Sequence, residues 1–253
     1  MLKTRIIPTL LWKHPGLVKG VGFDSWRRVG TVLPAIKVYN MRDVDELIIV
    51  DITATKEDAE PEFEEIAEFT QESFVPMTVG GGVRELDHFK KLLRVGADKI
   101  AINSACYDTP DLVTQAANRF GAQCVVASID AFKKGDSYEC SSHSGTRPQD
   151  RDPVTWAREL EKLGAGEILL TAIDQDGTMN GYDLELLRQV TEAVSIPVIA
   201  SGGAGSYADM LSALKDGGAS AIAAASIFHF TELTPLGAKE HLAASGIPVR
   251  LPS

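Results

Sequence analysis

The chain repeats itself, and that repeat limits its fold more than any other feature. VPMTVGGGVRELDHFKKLLRVGADKIAINSA begins at Val75, and IPVIASGGAGSYADMLSALKDGGASAIAAAS begins at Ile196, 121 positions later. ELIIVDITAT from Glu46 and EILLTAIDQDGT from Glu167 stand the same 121 positions apart. Arg5–Leu11 then corresponds to Cys124–Asp130, at the start of the second copy. The chain reads as two fused (βα)4 halves.

Local signals agree with that division. Eight short runs read as strands: Arg5–Leu11, Glu46–Ile52, Val75–Val79, Lys99–Asn103, Cys124–Asp130, Glu167–Ile173, Pro197–Ser201 and Ala221–Ala225. Most are unbroken apolar stretches, as expected of parallel strands buried on both faces. Thr109-Pro110, Asp152-Pro153 and Thr234-Pro235 each put a capping residue before a Pro that opens a helix, and Gly121 and Gly164 stop the first two. Leu86, Phe89, Leu92 and Leu93 form one apolar helix face, ending at Gly96, and Leu184, Leu187, Val190 and Val194 form another after Asp183. Eight strand-helix units in 253 residues predict one (β/α)8 TIM barrel over 1–253. An open doubly wound sheet is the rival, and it accounts less well for the repeat.

Composition excludes some functions. With 25 Lys and Arg against 35 Asp and Glu, the net charge is −10, and no basic footprint for nucleic acid is expected. Cys106, Cys124 and Cys140 are an odd number without metal spacing, so a reduced, cytoplasmic setting is expected, with no metal and no cofactor. The apolar run at the N-terminus is too short to span a membrane and lacks a small-residue cleavage site.

An acidic chain can still bind anions through backbone N–H groups. Gly80–Gly82 and Ser201–Gly203 each follow a strand and precede a helix, and Asn103–Ala105 and Ala224–Ser226 follow the next strand of each half. Glycine lets backbone approach a ligand closely. Two such pairs on opposite sides of a barrel mouth would grip a ligand carrying a phosphate at each end, or separate phosphate or sulfate ions. A lone glycine run would be read as a mere turn, but two copies in register argue for a ligand site.

RIIP, VKG, DELIIVDITAT, TVGGGVR, ADKIAINSA, GAGEILLTAIDQDGTMNGYDLEL, IPVIASGGAG and SIFHF together resemble the phosphoribosyl-isomerase barrels of histidine biosynthesis, above all the cyclase-subunit family of imidazole glycerol phosphate synthase. The resemblance covers essentially the whole chain. It implies a glutaminase partner on the N-terminal face and passage of ammonia through the barrel. It implies an ammonia gate at Arg5, Glu46, Lys99 and Glu167, each opening a predicted strand. It further implies ligand contacts at Lys19, Asp51, Gly81, Gly82, Asn103, Ser104, Thr171, Asp176, Gly177, Ser201, Gly202, Gly203, Ala225 and Ser226, and acid–base chemistry at Asp130. Asp174, in the same AIDQDGT run as Asp176, is weighed with it as a ligand contact.

One position departs from the family. Its cyclases set two aspartates across the mouth, at the ends of the first and fifth strands, and Leu11 stands at the first. Leucine neither donates nor accepts a proton, and loss of one positioned acid–base group typically costs on the order of 10²–10⁴-fold in rate. IPTLLWKHPGLVKG and VDELIIVDITATKEDAEPEFEEI look like a divergent branch associated with acetamidino modification of bacterial surface sugars. On that reading the barrel and glutaminase supply ammonia to an ATP-dependent sugar amidotransferase. The alternatives are a working cyclase subunit and a phosphate-binding scaffold that activates its glutaminase without channelling.

Other residues carry weaker signals. The stretch of about twenty residues after Leu11 is long enough for a lid or a partner surface, and Trp12, Trp26, Arg27 and Arg28 on it suit protein contact. His143 and Ser144 lack a third member for a nucleophilic triad, and His229 reads as structural. Asp136 and Asp150 read as solvated loop charges.

Overall fold

A computed structural model describes residues 3–252. It contains twelve strands: β1 (Arg5–Lys13), β2 (Gly16–Val21), β3 (Asp24–Gly30), β4 (Leu47–Asp51), β5 (Met77–Gly80), β6 (Lys99–Ile102), β7 (Val125–Lys134), β8 (Ser137–Ser142), β9 (Arg147–Pro148), β10 (Glu167–Ala172), β11 (Val198–Ser201) and β12 (Ala221–Ala224). Eight of them run parallel in the order β1, β4, β5, β6, β7, β10, β11, β12, and β12 pairs back with β1 to close the cylinder. This is a (β/α)8 barrel. The eight predicted strands are all present, with ends shifted by at most four residues.

Two-residue periodicity sorts every strand into an inner and an outer face. Ile7, Ile48, Ala101, Val126, Leu169, Ile199, Ala221 and Ala223 pack together inside the cylinder. Their neighbours, such as Ile6, Leu47, Ile100 and Leu170, face the helices and join the larger outer core. Parity then fixes the rest. Arg5, Glu46, Lys99 and Glu167 precede inner residues by two and lie one layer below. Leu11 and Asp130 follow Ile7 and Val126 by four and lie two layers above. The strands β1 and β7 are four apart in a ring of eight, so Leu11 and Asp130 stand on opposite walls.

The helix punctuation works as the residue types require. Asp152 accepts from the Thr155 N–H at 2.7 Å at the start of helix Pro153–Leu163, and Gly164 ends it in the left-handed region. Thr234 caps helix Pro235–Ala244 through the Gly237 N–H. The helix after Asp183 ends at Thr191, so Val194 lies beyond it.

The stretch after β1 is not a loop. The strand continues through Lys13 and folds back as the β2–β3 hairpin. Trp12, expected among surface contacts, is 2% exposed, with its ring edge-on to Phe69 at 5.3 Å. Arg27 covers the Phe230 ring at 3.8 Å. Phe23 and Trp26 reach into the barrel mouth.

Candidate functional site

At the N-terminal end of the barrel four charges close into a ring. Arg5 bonds Glu46 at 2.7 Å and Glu167 at 3.0 Å, and Lys99 bonds the same carboxylates at 2.9 and 3.1 Å. Each ion thus has two partners of opposite sign. Burial opposes the Arg5 charge, but the Glu167 and Glu46 carboxylates outweigh it and raise its pKa. Thr78, which the sequence reading missed, donates to Glu46 at 2.7 Å and fixes that carboxylate from a third side. The signal was faint: one hydroxyl in an otherwise apolar strand.

At the other end lies a cavity of about 250 Å³. Asp51, Gly81, Gly82, Asn103, Ser104, Asp130, Thr171, Asp176, Gly177, Ser201, Gly202, Gly203, Ala225, Ser226, Lys19 and Leu11 all line it. The turns are built for close approach. Gly82 has φ of +71°, and a Cβ there would lie 2.8 Å from the Ala59 carbonyl oxygen; Gly202 has φ of +87°, and its Cβ would lie 2.7 Å from that of Ala172. Side chains at these points are excluded by both conformation and space.

Asp130 sits low in this cavity. Asn103 donates to it through Nδ2 at 2.7 Å. Burial pushes its pKa up to about 7 and nearby Asp176 adds to the rise, while hydrogen bonds from Asn103 and Thr171 pull the other way. A carboxyl group placed near neutrality can both take and give a proton. Across the mouth, Leu11 presents only hydrocarbon.

The hairpin closes over the opening. Lys19, 3% exposed, reaches Asp176 with contacts of 2.8 and 2.7 Å, and the Gly22 N–H donates to the Asp176 carbonyl at 2.8 Å. The Lys19 charge and burial depress the pKa of His229 to about 4, with burial the larger cause. Asp51 is held in its own turn, accepting from the Thr53 N–H and hydroxyl at 2.8 Å and the Ala54 N–H at 3.1 Å. Asp174 does not belong to the mouth: it is exposed and accepts from the Lys133 N–H at 2.7 Å. Ser144 donates to the Ile52 carbonyl rather than to His143, whose ring partner is Ser142. Arg84 and Asp58 pair at the rim beside the first glycine turn, which the sequence reading did not pick out. Among the described residues no group of acids, histidines and cysteines could hold a metal ion, and no helix is long and apolar enough to cross a membrane.

Known proteins with this sequence pattern place the chain. The histidine biosynthesis protein family matches residues 5–234. An imidazole glycerol phosphate synthase subunit HisF of Hyphomonas neptunium is 49% identical over 250 residues, 99% of either chain. Two such subunits from strains of Dehalococcoides mccartyi are 45% identical over 251 residues, again 99% of either chain. These relatives overturn the expected sugar-modifying branch, and with it the sugar amidotransferase as partner. That expectation leaned on Leu11 and on the segments IPTLLWKHPGLVKG and VDELIIVDITATKEDAEPEFEEI, which weigh little against near-complete alignment to synthase subunits. The chain belongs to the histidine biosynthesis protein family, within its imidazole glycerol phosphate synthase subunit HisF group.

Proposed function

We propose that this chain is the cyclase subunit of a glutamine-dependent imidazole glycerol phosphate synthase. The observation that carries this reading is one axis with a closed charge ring at its foot and, at its head, a protonatable carboxyl between two matching glycine turns. The turns at Gly81–Gly82 and Gly202–Gly203, with Asn103–Ser104 and Ala225–Ser226 beside them, hold the two phosphates of a ribulosyl substrate. Asp176, Gly177, Ser201 and Thr171 complete the wall, and the hairpin with Lys19 covers it. Asp51 contributes by holding the rim turn in shape.

Ammonia enters from a glutaminase docked on the N-terminal face, passing the ring of Arg5, Glu46, Lys99 and Glu167. Inside, the side chains are apolar, which suits neutral ammonia and excludes ammonium. At the mouth the nitrogen attacks the ribulosyl carbonyl, and Asp130 as carboxylate takes the proton that the nitrogen sheds. The later ring closure and cleavage of the bridging bond again need a proton moved beside the reacting atoms, and a carboxyl of pKa about 7 serves in both directions.

The test uses purified chain, ammonium salt and the phosphorylated ribulosyl substrate, with imidazole glycerol phosphate measured directly. Product formation that disappears in Asp130→Asn supports the reading. A folded chain that binds substrate and makes no product removes it.

A further inference from the structure

We infer that His143 is a second proton-transferring residue of the mouth, taking the role that Leu11 leaves vacant. The inference rests on the cyclase reading above and deepens it. Ring chemistry of this kind moves protons at two atoms of the substrate, and Asp130 serves one of them.

The other titratable groups of the mouth are committed elsewhere. Lys19 and Asp176 neutralise each other in a buried pair at 2.7 Å. Asp51 accepts three hydrogen bonds within its own turn. Asp58 and Arg84 pair at the rim, and Asp108, half exposed, faces Arg147 at 3.8 Å. Among the described residues, Asp130 and His143 are the two titratable groups of the cavity wall that carry no ion pair and cap no turn with their side chains.

His143 is also held as a working group must be. Its N–H donates to the Ser104 hydroxyl at 3.0 Å, and its carbonyl accepts from the Thr146 hydroxyl at 2.7 Å. Its Nδ1 lies 2.8 Å from the Ser142 Oγ, which the Gln149 amide fixes at 2.7 Å. A hydroxyl can donate or accept, so this contact persists whichever protonation state the ring takes. Nε2 remains as the atom where a proton comes and goes. The backbone has φ of 53°, a left-handed conformation that is unfavourable for a non-glycine residue and recurs at functional sites. The β8 strand that ends immediately before it pairs Ser141 with Asp130, and Asn103 bonds Asp130 while the next residue, Ser104, bonds His143. The two groups therefore share one scaffold.

The steps balance. As the nitrogen adds to the carbonyl carbon, its proton goes to the Asp130 carboxylate, and the carbonyl oxygen takes the Nε2 proton of the His143 imidazolium. When that oxygen leaves as water, Asp130 supplies its proton and His143 recovers one from the nitrogen, so both groups return to their starting states.

The experiment is ammonia-dependent turnover of the ribulosyl substrate by the full chain, with thermal melting to verify folding. His143→Gln keeps a polar side chain able to hydrogen-bond and cannot transfer a proton. It is expected to lower kcat on the order of 10²-fold or more, with KM changed less than about threefold. His143→Ala is expected to behave alike and to recover turnover when imidazole is added. Leu11→Asp in the His143→Ala background is expected to restore part of kcat from the opposite wall. A His143→Gln enzyme that keeps its kcat and raises only KM overturns the inference and leaves a phosphate contact. An unmodified chain that makes no imidazole product overturns the cyclase reading itself, and this inference with it.

Discussion

The two halves of this barrel share a skeleton and differ in their chemistry. Gly82 and Gly203 occupy matching positions, and both take a positive φ. Around them the halves diverge. Asn103 of the first half reaches Asp130 with its amide, whereas its counterpart Ala224 has nothing to reach with. Arg84 of the first half pairs with Asp58 at the rim, and its counterpart is Gly205. The first half has Leu11 at the end of its first strand, where the second half has Asp130. Symmetric glycine turns suit a ligand with like ends, and an asymmetric middle suits a reaction that treats those ends differently.

The sharpest way to break this comparison is to remove the Asp130 carboxyl. Asp130→Asn is expected to cut ammonia-dependent kcat on the order of 10²–10⁴-fold, read by product formation. The same variant reports on stability. A carboxyl whose folded pKa is raised to about 7 keeps its proton in the native state between pH 4 and 7, where the unfolded chain has lost it. Native stability therefore falls as pH rises through that window, by roughly 4 kcal/mol before any screening by the open side of the cavity. Melting curves of Asp130→Asn at pH 4 and pH 8 are expected to lack most of that fall.

Next in size are the glycine turns, which test whether the halves are equal in grip. Gly82→Val and Gly202→Val each force a side chain into a left-handed position already bounded by backbone. Each is expected to raise substrate KM about 10- to 100-fold and to cost about 1–3 kcal/mol in stability. Calorimetry with inorganic phosphate should then find one site in place of two. Equal loss of both sites in either variant would show that the halves do not act separately.

The charge ring comes after these. Lys99→Ala leaves Glu46 and Glu167 with Arg5 as their shared partner. Glutamine-driven turnover with the glutaminase is expected to fall relative to glutamine hydrolysis, while turnover on added ammonia stays within about threefold, since the ring lies at the opposite end of the barrel from Asp130. Arg84→Ala is the smallest. Exposed pairs contribute about 0–1 kcal/mol, so a rise in KM of about two- to fivefold is expected, with kcat unchanged.

Much of the frame was legible from the residues. Continuous apolar runs such as EILLTA at 167–172 mark strands buried on both faces, and the 121-residue repeat set their number. The glycine turns were legible because few residues tolerate positive φ next to crowding backbone. The hairpin was not. WKHPGLVKGVGFDSWRRVG has the glycines and charges of a surface loop, and its pairing with β1 depends on strand edges that exist once the barrel is closed. Trp12 was misplaced for the same reason: its burial depends on Phe69, far along the chain. Asp174 and Asp176 are two residues apart and face opposite ways, a distinction set by the turn that joins them to the hairpin.

Local sequence by itself determined the strands, the caps and the inward or outward parity of each side chain, because those follow from short-range sterics and a period of two. The closed tertiary structure decided which distant charges pair, how far burial lifts Asp130 toward neutrality, and that Ser144 bonds the Ile52 carbonyl while the His143 ring bonds Ser142. Those outcomes depend on solvent exclusion and on contacts between residues far apart in the chain, and neither exists until the eighth strand meets the first.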